Sequence, residues 1–298
     1  MAFVACATIA EAFNNVPESI SASISLKVPG NGAKHYPLTF QKSQNNNGTY
    51  YLENSEKMPL TVSQNIVDGD DGLRISVSIT ALEDIYFNYS QQVATDFRHN
   101  DCLFYMPGFW YRRNLRSPKE APSFHTSDSW IVSEDRLSAP LTGIFCEKKQ
   151  RFMTVNRLDK FVNSTLATHR EGEIILSDKT SLGYTGFENK DGVATLSFGF
   201  PYREAPKLTL APAVTAYQHL KKGETILLTW QITEGEAKDY SDFVRHTWEY
   251  CYDTYLPKPV DTPYSIEYMK QTLSQFFVSS FVDKYPLVYN SGIHLRTD

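Results

Sequence analysis

The sequence predicts a mainly β fold: a large antiparallel two-sheet β-sandwich followed by a C-terminal α-helical linker and stub. Three observations predict it. Apolar and polar side chains alternate, most clearly over residues 19–28, where Ile20, Ala22, Ile24, Leu26 and Val28 interleave with serines and Lys27; a period of two marks a half-buried strand. Such runs recur about a dozen times before residue 236, separated by turn clusters and by no helical pattern. From residue 236 the apolar spacing changes to that of helices.

The elements follow in order. After residues 19–28 come "YPLTFQ" and "TYYLE", parted by the turn cluster "KSQNNNG". "PLTVSQNIV" and "LRISVSIT" flank "DGDDG" and form a hairpin; the Asp-rich turn lacks the spacing and closing Glu of a calcium loop. "IYFNYS" is a further strand. "SAPLTGIFCE" and "RFMTVNRLD" make a second hairpin turning at Lys148 and Lys149. "GEIILSD", "LGYTGFE", "VATLSFGFP" and "ETILLTWQIT" complete the series. So many antiparallel strands bury their faces best as two stacked sheets; a closed barrel is the alternative, and the lack of internal repeats speaks against a propeller. Beyond them, Tyr240, Phe243, Val244, Thr247, Trp248, Cys251 and Tyr255 form one helical stripe stopped by Pro257 and Pro259. A second helix enters at Thr262 before Pro263, carries Ile266, Met269, Leu273, Phe276, Phe277 and Phe281, and ends by Pro286. The expected divisions are an N-terminal segment 1–18, a sandwich 19–235 and a helical region 236–298.

Composition narrows the function. Hydrophobic residues are 41% of the 298 and charged residues 21%, enough apolar material for a sizeable core. The net charge is −5 and the longest basic runs are pairs, so no nucleic-acid footprint is present. Cys6, Cys102, Cys146 and Cys251 have no C-x-x-C spacing, and the seven histidines no H-x-x-x-H; no metal and no cofactor are expected. No run of 18 apolar residues exists to span a membrane. "FVAC" faintly matches the end of a lipoprotein signal with Cys6 as the acylated residue. Sequons occur at Asn47, Asn88 and Asn163.

The strand-rich 19–235, the aromatic helix "DYSDFVRHTWEYCYDTY" and the segment "TPYSIEYMKQTL" together resemble the N-terminal part of bacterial glycoside hydrolases of the six-hairpin kind. In that family a super-sandwich precedes an (α/α)6 catalytic toroid. The resemblance implies a carbohydrate-degrading context, an oligo- or polysaccharide partner, a periplasmic or extracellular location and a C-terminal toroid as neighbour. A toroid needs about twelve helices of about 11 to 12 residues each, and residues 236–298 hold two of them at most. The resemblance therefore implies an accessory sandwich with a stub, the catalytic carboxylates lying mostly beyond Asp298. A free-standing carbohydrate-binding module and a complete enzyme with a cleft on the sandwich are the alternatives.

One stretch invites a site: "GFWYRRNLRSPKEAPSFHTSDSW", residues 108–130, which is aromatic, cationic, proline-broken and without periodicity. Unstructured loops of this length are commonly functional. Trp110 and Tyr111 are expected to offer stacking faces. Arg112, Arg113 and Asn114 are expected to supply fork-shaped or amide donors to sugar hydroxyls or uronate carboxylates. Asp128, in "HTSDSW" beside Trp130, reads either as an acid in an aromatic pocket or as a turn former. The competing reading of the loop is packing against the linker helix, Trp110 on Trp248 and an arginine on Glu249.

Overall fold

The computed structural model describes residues 19–43, 48–69, 72–116, 121–159, 169–208, 213–258, 261, 263–282 and 287–288. Its strands are β1 (Ile20–Lys27), β2 (Lys34–Lys42), β3 (Thr49–Glu53), β4 (Leu60–Gly69), β5 (Gly72–Ala81), β6 (Ile85–Arg98), β7 (Cys102–Met106), β8 (Trp110–Arg112) and β9 (Trp130–Ser133). They continue with β10 (Leu141–Cys146), β11 (Arg151–Arg157), β12 (His169–Glu171), β13 (Ile174–Ser177), β14 (Tyr184–Lys190), β15 (Val193–Phe200), β16 (Arg203–Glu204), β17 (Val214–Leu220) and β18 (Thr225–Glu236). Two helices follow, α1 (Tyr240–Tyr255) and α2 (Ile266–Ser279), and then the short pair β19 (Phe281–Val282) and β20 (Leu287–Val288).

The expected two-layer sandwich is observed. One layer centres on β6, whose long run pairs with β1 on one side and with β15 and β17 on the other. The other layer runs β3–β4–β5–β18–β11–β10–β7–β8. Strand β2 belongs to both: its residues 34–38 pair with β1 and its residues 39–42 with β3. Pairing is antiparallel except between β13 and β17, which run parallel.

Alternation decides which side chains meet between the layers. Ile20, Ala22 and Ile24 of β1, Phe87, Tyr89 and Val93 of β6, and Leu196, Phe198 and Phe200 of β15 face Val77, Ile79, Trp230 and Ile232 of the other layer. A one-residue slip in any of these strands would turn its whole apolar set to the outside. Two of the four cysteines, Cys102 and Cys146, lie opposite each other on β7 and β10 as free buried thiols. Burial pushes the Cys102 thiol well above its ordinary range. Cys6, with its possible acylation, lies outside the described residues.

A buried ion pair ties the layers together. The guanidinium of Arg157, on β11, donates to the Glu134 carboxylate at 2.7 Å and to the carbonyl of Ser181 at 2.9 Å. The same carboxylate accepts the backbone N–H of Gly183 at 2.7 Å. Paired charges and filled lone pairs make such burial tolerable.

Helix α1 lies on the outer face of the second layer. Tyr240 and Phe243 pack with Leu103, Tyr105, Leu141, Phe145 and Phe152. Glycine makes the seat: a Cβ at Gly143 would come within 2.6 Å of the Phe243 ring. Trp248, expected in the same stripe, is 61% exposed instead. The strands end at Glu236, but the compact unit they form extends to Cys251, and a second unit begins at Tyr252. In that second unit the expected entry residue Thr262 lies outside the described residues. Ser265 caps α2, its hydroxyl accepting the Tyr268 N–H at 3.1 Å. Pro286 is also outside the described residues, and α2 ends at Ser279. Among the described residues no helix is long and apolar enough to cross a membrane.

Candidate functional site

The 108–130 stretch is more ordered than its composition suggests. It opens with β8, which pairs with β7 through Trp110 opposite Met106. Trp110 is 0% exposed and Trp130 is 2% exposed. Their rings meet at 5.4 Å, and Phe124 and Phe187 close around Trp110. Each indole N–H donates to a backbone carbonyl, that of Arg112 at 2.9 Å and that of Ser127 at 2.8 Å. The expectation that Trp110 offers a stacking face is therefore corrected, since no face of it reaches solvent. Trp130 shares that burial. Aromatic rings with one polar handle are well served by such a core position.

The polar members of the stretch hold the chain in place. The Asn114 side chain accepts the Tyr111 N–H at 3.0 Å and donates to the carbonyls of Phe109 and Pro122 at 3.2 and 3.1 Å, which fills the amide. Arg113 donates to the carbonyls of Asn100 and Cys102 and lies over the Phe124 ring. Asp128 accepts from the Asn189 amide at 2.7 Å and from the Ser129 hydroxyl at 3.2 Å, the bonding of a turn former. Tyr111 and Arg112 remain at the surface, the former 50% exposed. The stretch does meet α1, but through Tyr240: the Arg112 guanidinium sits 4.8 Å above the Tyr240 ring. The expected partners Trp248 and Glu249 are not the ones used.

A different place gathers open polar groups. On the outer face of the β6 layer lies a groove of about 510 Å3, within the size range of small-ligand sites. Register places its floor. Ser21, Ser23 and Ser25 of β1 stand opposite Gln92, Ser90 and Asn88 of β6. Outside the lining itself, Ser197 and Gly199 of β15 continue the rows beyond Gln92 and Ser90, and the buried Tyr184 of β14 stands beyond Gly199. The walls are His35 and Pro37 of β2, Glu188 and Lys190 of β14, Arg203 of β16, and Thr215 and Tyr217 of β17. The His35 ring is hydrogen-bonded to the Ser25 hydroxyl at 2.9 Å. Asn88 is anchored, its amide donating to the carbonyls of Pro201 and Ala216 at 3.0 and 2.8 Å. That sequon is thus buried in the sheet, while Asn47 and Asn163 lie outside the described residues.

Charge in the groove is uneven. Among the described residues Glu188 is the one carboxylate lining it, and Lys190 holds it at 2.7 Å. Arg203 pairs with no carboxylate among the described residues; its neighbour Glu204 is taken by Arg136 at 3.0 Å. Tyr184 is 0% exposed and its hydroxyl finds no partner at hydrogen-bonding geometry. Burial pushes this phenol up, while Arg203 and Ser90 beside it pull the other way. Ring and floor fit because position 199 is glycine, where a Cβ would come within 2.6 Å of the Tyr184 hydroxyl. Among the described residues no three His, Cys, Asp or Glu side chains gather as a metal site.

Chemically, the groove can bind a hydroxyl-rich ligand through many weak directional contacts. Among the described residues it does not place two facing carboxylates, which glycoside hydrolysis ordinarily needs. The reading of residues 108–130 as the site passed over this face. Its signal is in the sequence, in the unbroken uncharged polar partners of two alternating strands: Ser21, Ser23 and Ser25, and Asn88, Ser90 and Gln92. A solvent face usually carries charges as well.

No family model matches the sequence, and no curated protein matches it. Solved structures of similar shape exist. A galactose mutarotase-like protein from Clostridium acetobutylicum is 10% identical with a TM-score of 0.41, over 76% of this chain and 82% of that one. A polysaccharide lyase is 11% identical with a TM-score of 0.36, over 77% of this chain and 27% of its own. A GH36 α-galactosidase from Geobacillus stearothermophilus, solved with raffinose, is 9% identical with a TM-score of 0.41, over 72% of this chain and 30% of its own. The chain thus spans less than a third of the lyase and of the galactosidase. Likeness at this level carries no chemistry with it.

Proposed function

We propose that this chain is a non-catalytic saccharide-binding β-sandwich domain, accessory to a polysaccharide-degrading glycoside hydrolase. The observation that carries the reading is the groove on the β6 layer, where hydroxyl, amide and guanidinium groups from six strands converge on about 510 Å3. Sugar hydroxyls ask for such dense, directional hydrogen bonding. A single carboxylate already tied to Lys190 supports binding rather than bond cleavage. The accessory role, the (α/α)6 partner domain and an extracytoplasmic location belong to the same proposal. They rest on the order of the chain, strands first and helices after.

The test is calorimetric titration of the whole chain with neutral and acidic oligosaccharides, beside a reducing-end assay for turnover. Expected is saccharide binding without turnover. Ser23→Trp, which fills the groove from its floor, should abolish the heat and leave the melting temperature unchanged. Binding that persists in Ser23→Trp overturns the placement. Release of reducing ends favours a complete enzyme with its cleft on this face.

A further inference from the structure

We infer that the groove selects an acidic saccharide, the sugar's oxyanion being received by Arg203 with the hydroxyl of Tyr184 beside it. The inference rests on the groove being the saccharide site and adds the class of ligand.

The polar groups left unspent there are mainly donors beside a cation. Lys190 is engaged with Glu188 at 2.7 Å, so the groove's one lining carboxylate is neutralised within the same strand. That leaves Arg203 as a lining cation without a carboxylate among the described residues. It stands out in a chain of net charge −5. The pairing of β16 with β17 sets the Arg203 backbone opposite Thr215, itself a wall residue. A planar fork with five N–H donors suits a carboxylate or sulfate oxygen pair better than a lone hydroxyl.

Tyr184 supplies the second observation. Its hydroxyl is buried with no partner at full hydrogen-bonding geometry, Ser90 and Arg203 being its polar neighbours, so an acceptor arriving there would complete its bonding. It lies next to Ser90 and Arg203, both of which line the groove. The hydroxyl of Ser197, in the row that carries Gln92, is likewise buried and without a partner. An oxyanion seated at Arg203 accepts from the guanidinium and from the Tyr184 hydroxyl together. A neutral sugar hydroxyl, with one oxygen, would leave part of that fork unused.

The experiment titrates the whole chain with three matched trisaccharides: trigalacturonate, its neutral galactose counterpart and a sulfated galactose counterpart. Expected is tighter binding of an acidic form than of the neutral one by roughly tenfold or more, the scale of one charge-assisted hydrogen bond. Arg203→Gln should erase that difference. Arg203→Lys should restore part of it, because charge returns without the fork. The preference should weaken as salt is raised. Tighter binding of the sulfated form alone supports the inference and names a tetrahedral oxyanion; of the uronate alone, a planar one. Equal affinity for all three, unaltered in Arg203→Gln, overturns the acidic class while the saccharide site stands. Absence of any saccharide binding overturns both.

Discussion

The Tyr240 hydroxyl accepts the backbone N–H of Arg112 at 2.9 Å and donates to the carbonyl of Phe104 at 2.8 Å. One phenol on α1 thereby closes two backbone groups, one on β8 and one on β7. Arg112 has a left-handed backbone, φ 56°, and needs such support. Tyr240→Phe should lower stability by about 1–3 kcal/mol, the cost of leaving a buried backbone group unpaired. Urea unfolding of the two proteins measures it, and an unchanged midpoint would show that water replaces the hydroxyl.

Phe243 reaches the sheet only because position 143 has no side chain. Gly143→Ala should push the ring outward and cost about 1–3 kcal/mol, as overpacking does. Hydrogen exchange should show faster opening of α1 with the strands between the layers unaffected. Equal loss of protection throughout would mean that the helix and the sheets open as one.

Glu134 and Arg157 act as a pair. Glu134→Gln leaves the buried guanidinium with Asp159, 3.1 Å from its Nε, as its remaining carboxylate, and should destabilise by about 1–3 kcal/mol. Replacing both, as Glu134→Leu with Arg157→Met, should recover a substantial part of that loss. Thermal unfolding of the single and double variants decides it, and a double variant worse than the single one would show that the Gly183 and Ser181 bonds matter more than the charge.

His99 gives the protein a pH response. Burial is the largest influence and lowers its pKa from 6.5; the charge of the Asp128 carboxylate and then the Asp128 carbonyl, 2.9 Å from Nε2, pull upward, and Arg113 pushes down again. Below pH 6.5 the unfolded chain binds a proton that the folded ring refuses. The stability is thus complete above that pH and drains away as pH falls through the depressed folded value, by at most about 1.4 kcal/mol per pH unit. Unfolding midpoints at pH 7.5 and 5.5 should differ in the native protein and converge in His99→Gln. Identical midpoints in the native protein would refute it.

Most of the sandwich was legible because most strands keep one face in and one face out. β1 and the hairpin of β4 and β5 show the alternation that sets their register. β17 escaped the reading because Ala216, Tyr217 and Gln218 are buried in succession, which erases the period. β8 spans only three residues, too few to show one. In the aromatic stretch composition cannot distinguish an open ring from a core ring, and packing with Phe187 makes Trp110 the latter. The groove was hidden for another reason. It joins His35 to Tyr217 across six strands, and such joining depends on pairings distant along the chain.

Strand β2, shared between the layers, has a last consequence. Two separate sheets would present four bare margins, each able to recruit a stray strand from another molecule. Stitching Lys34–Leu38 to β1 and Thr39–Lys42 to β3 removes two of them. The protein thereby keeps a broad β surface while offering fewer places where it could polymerise with its own kind.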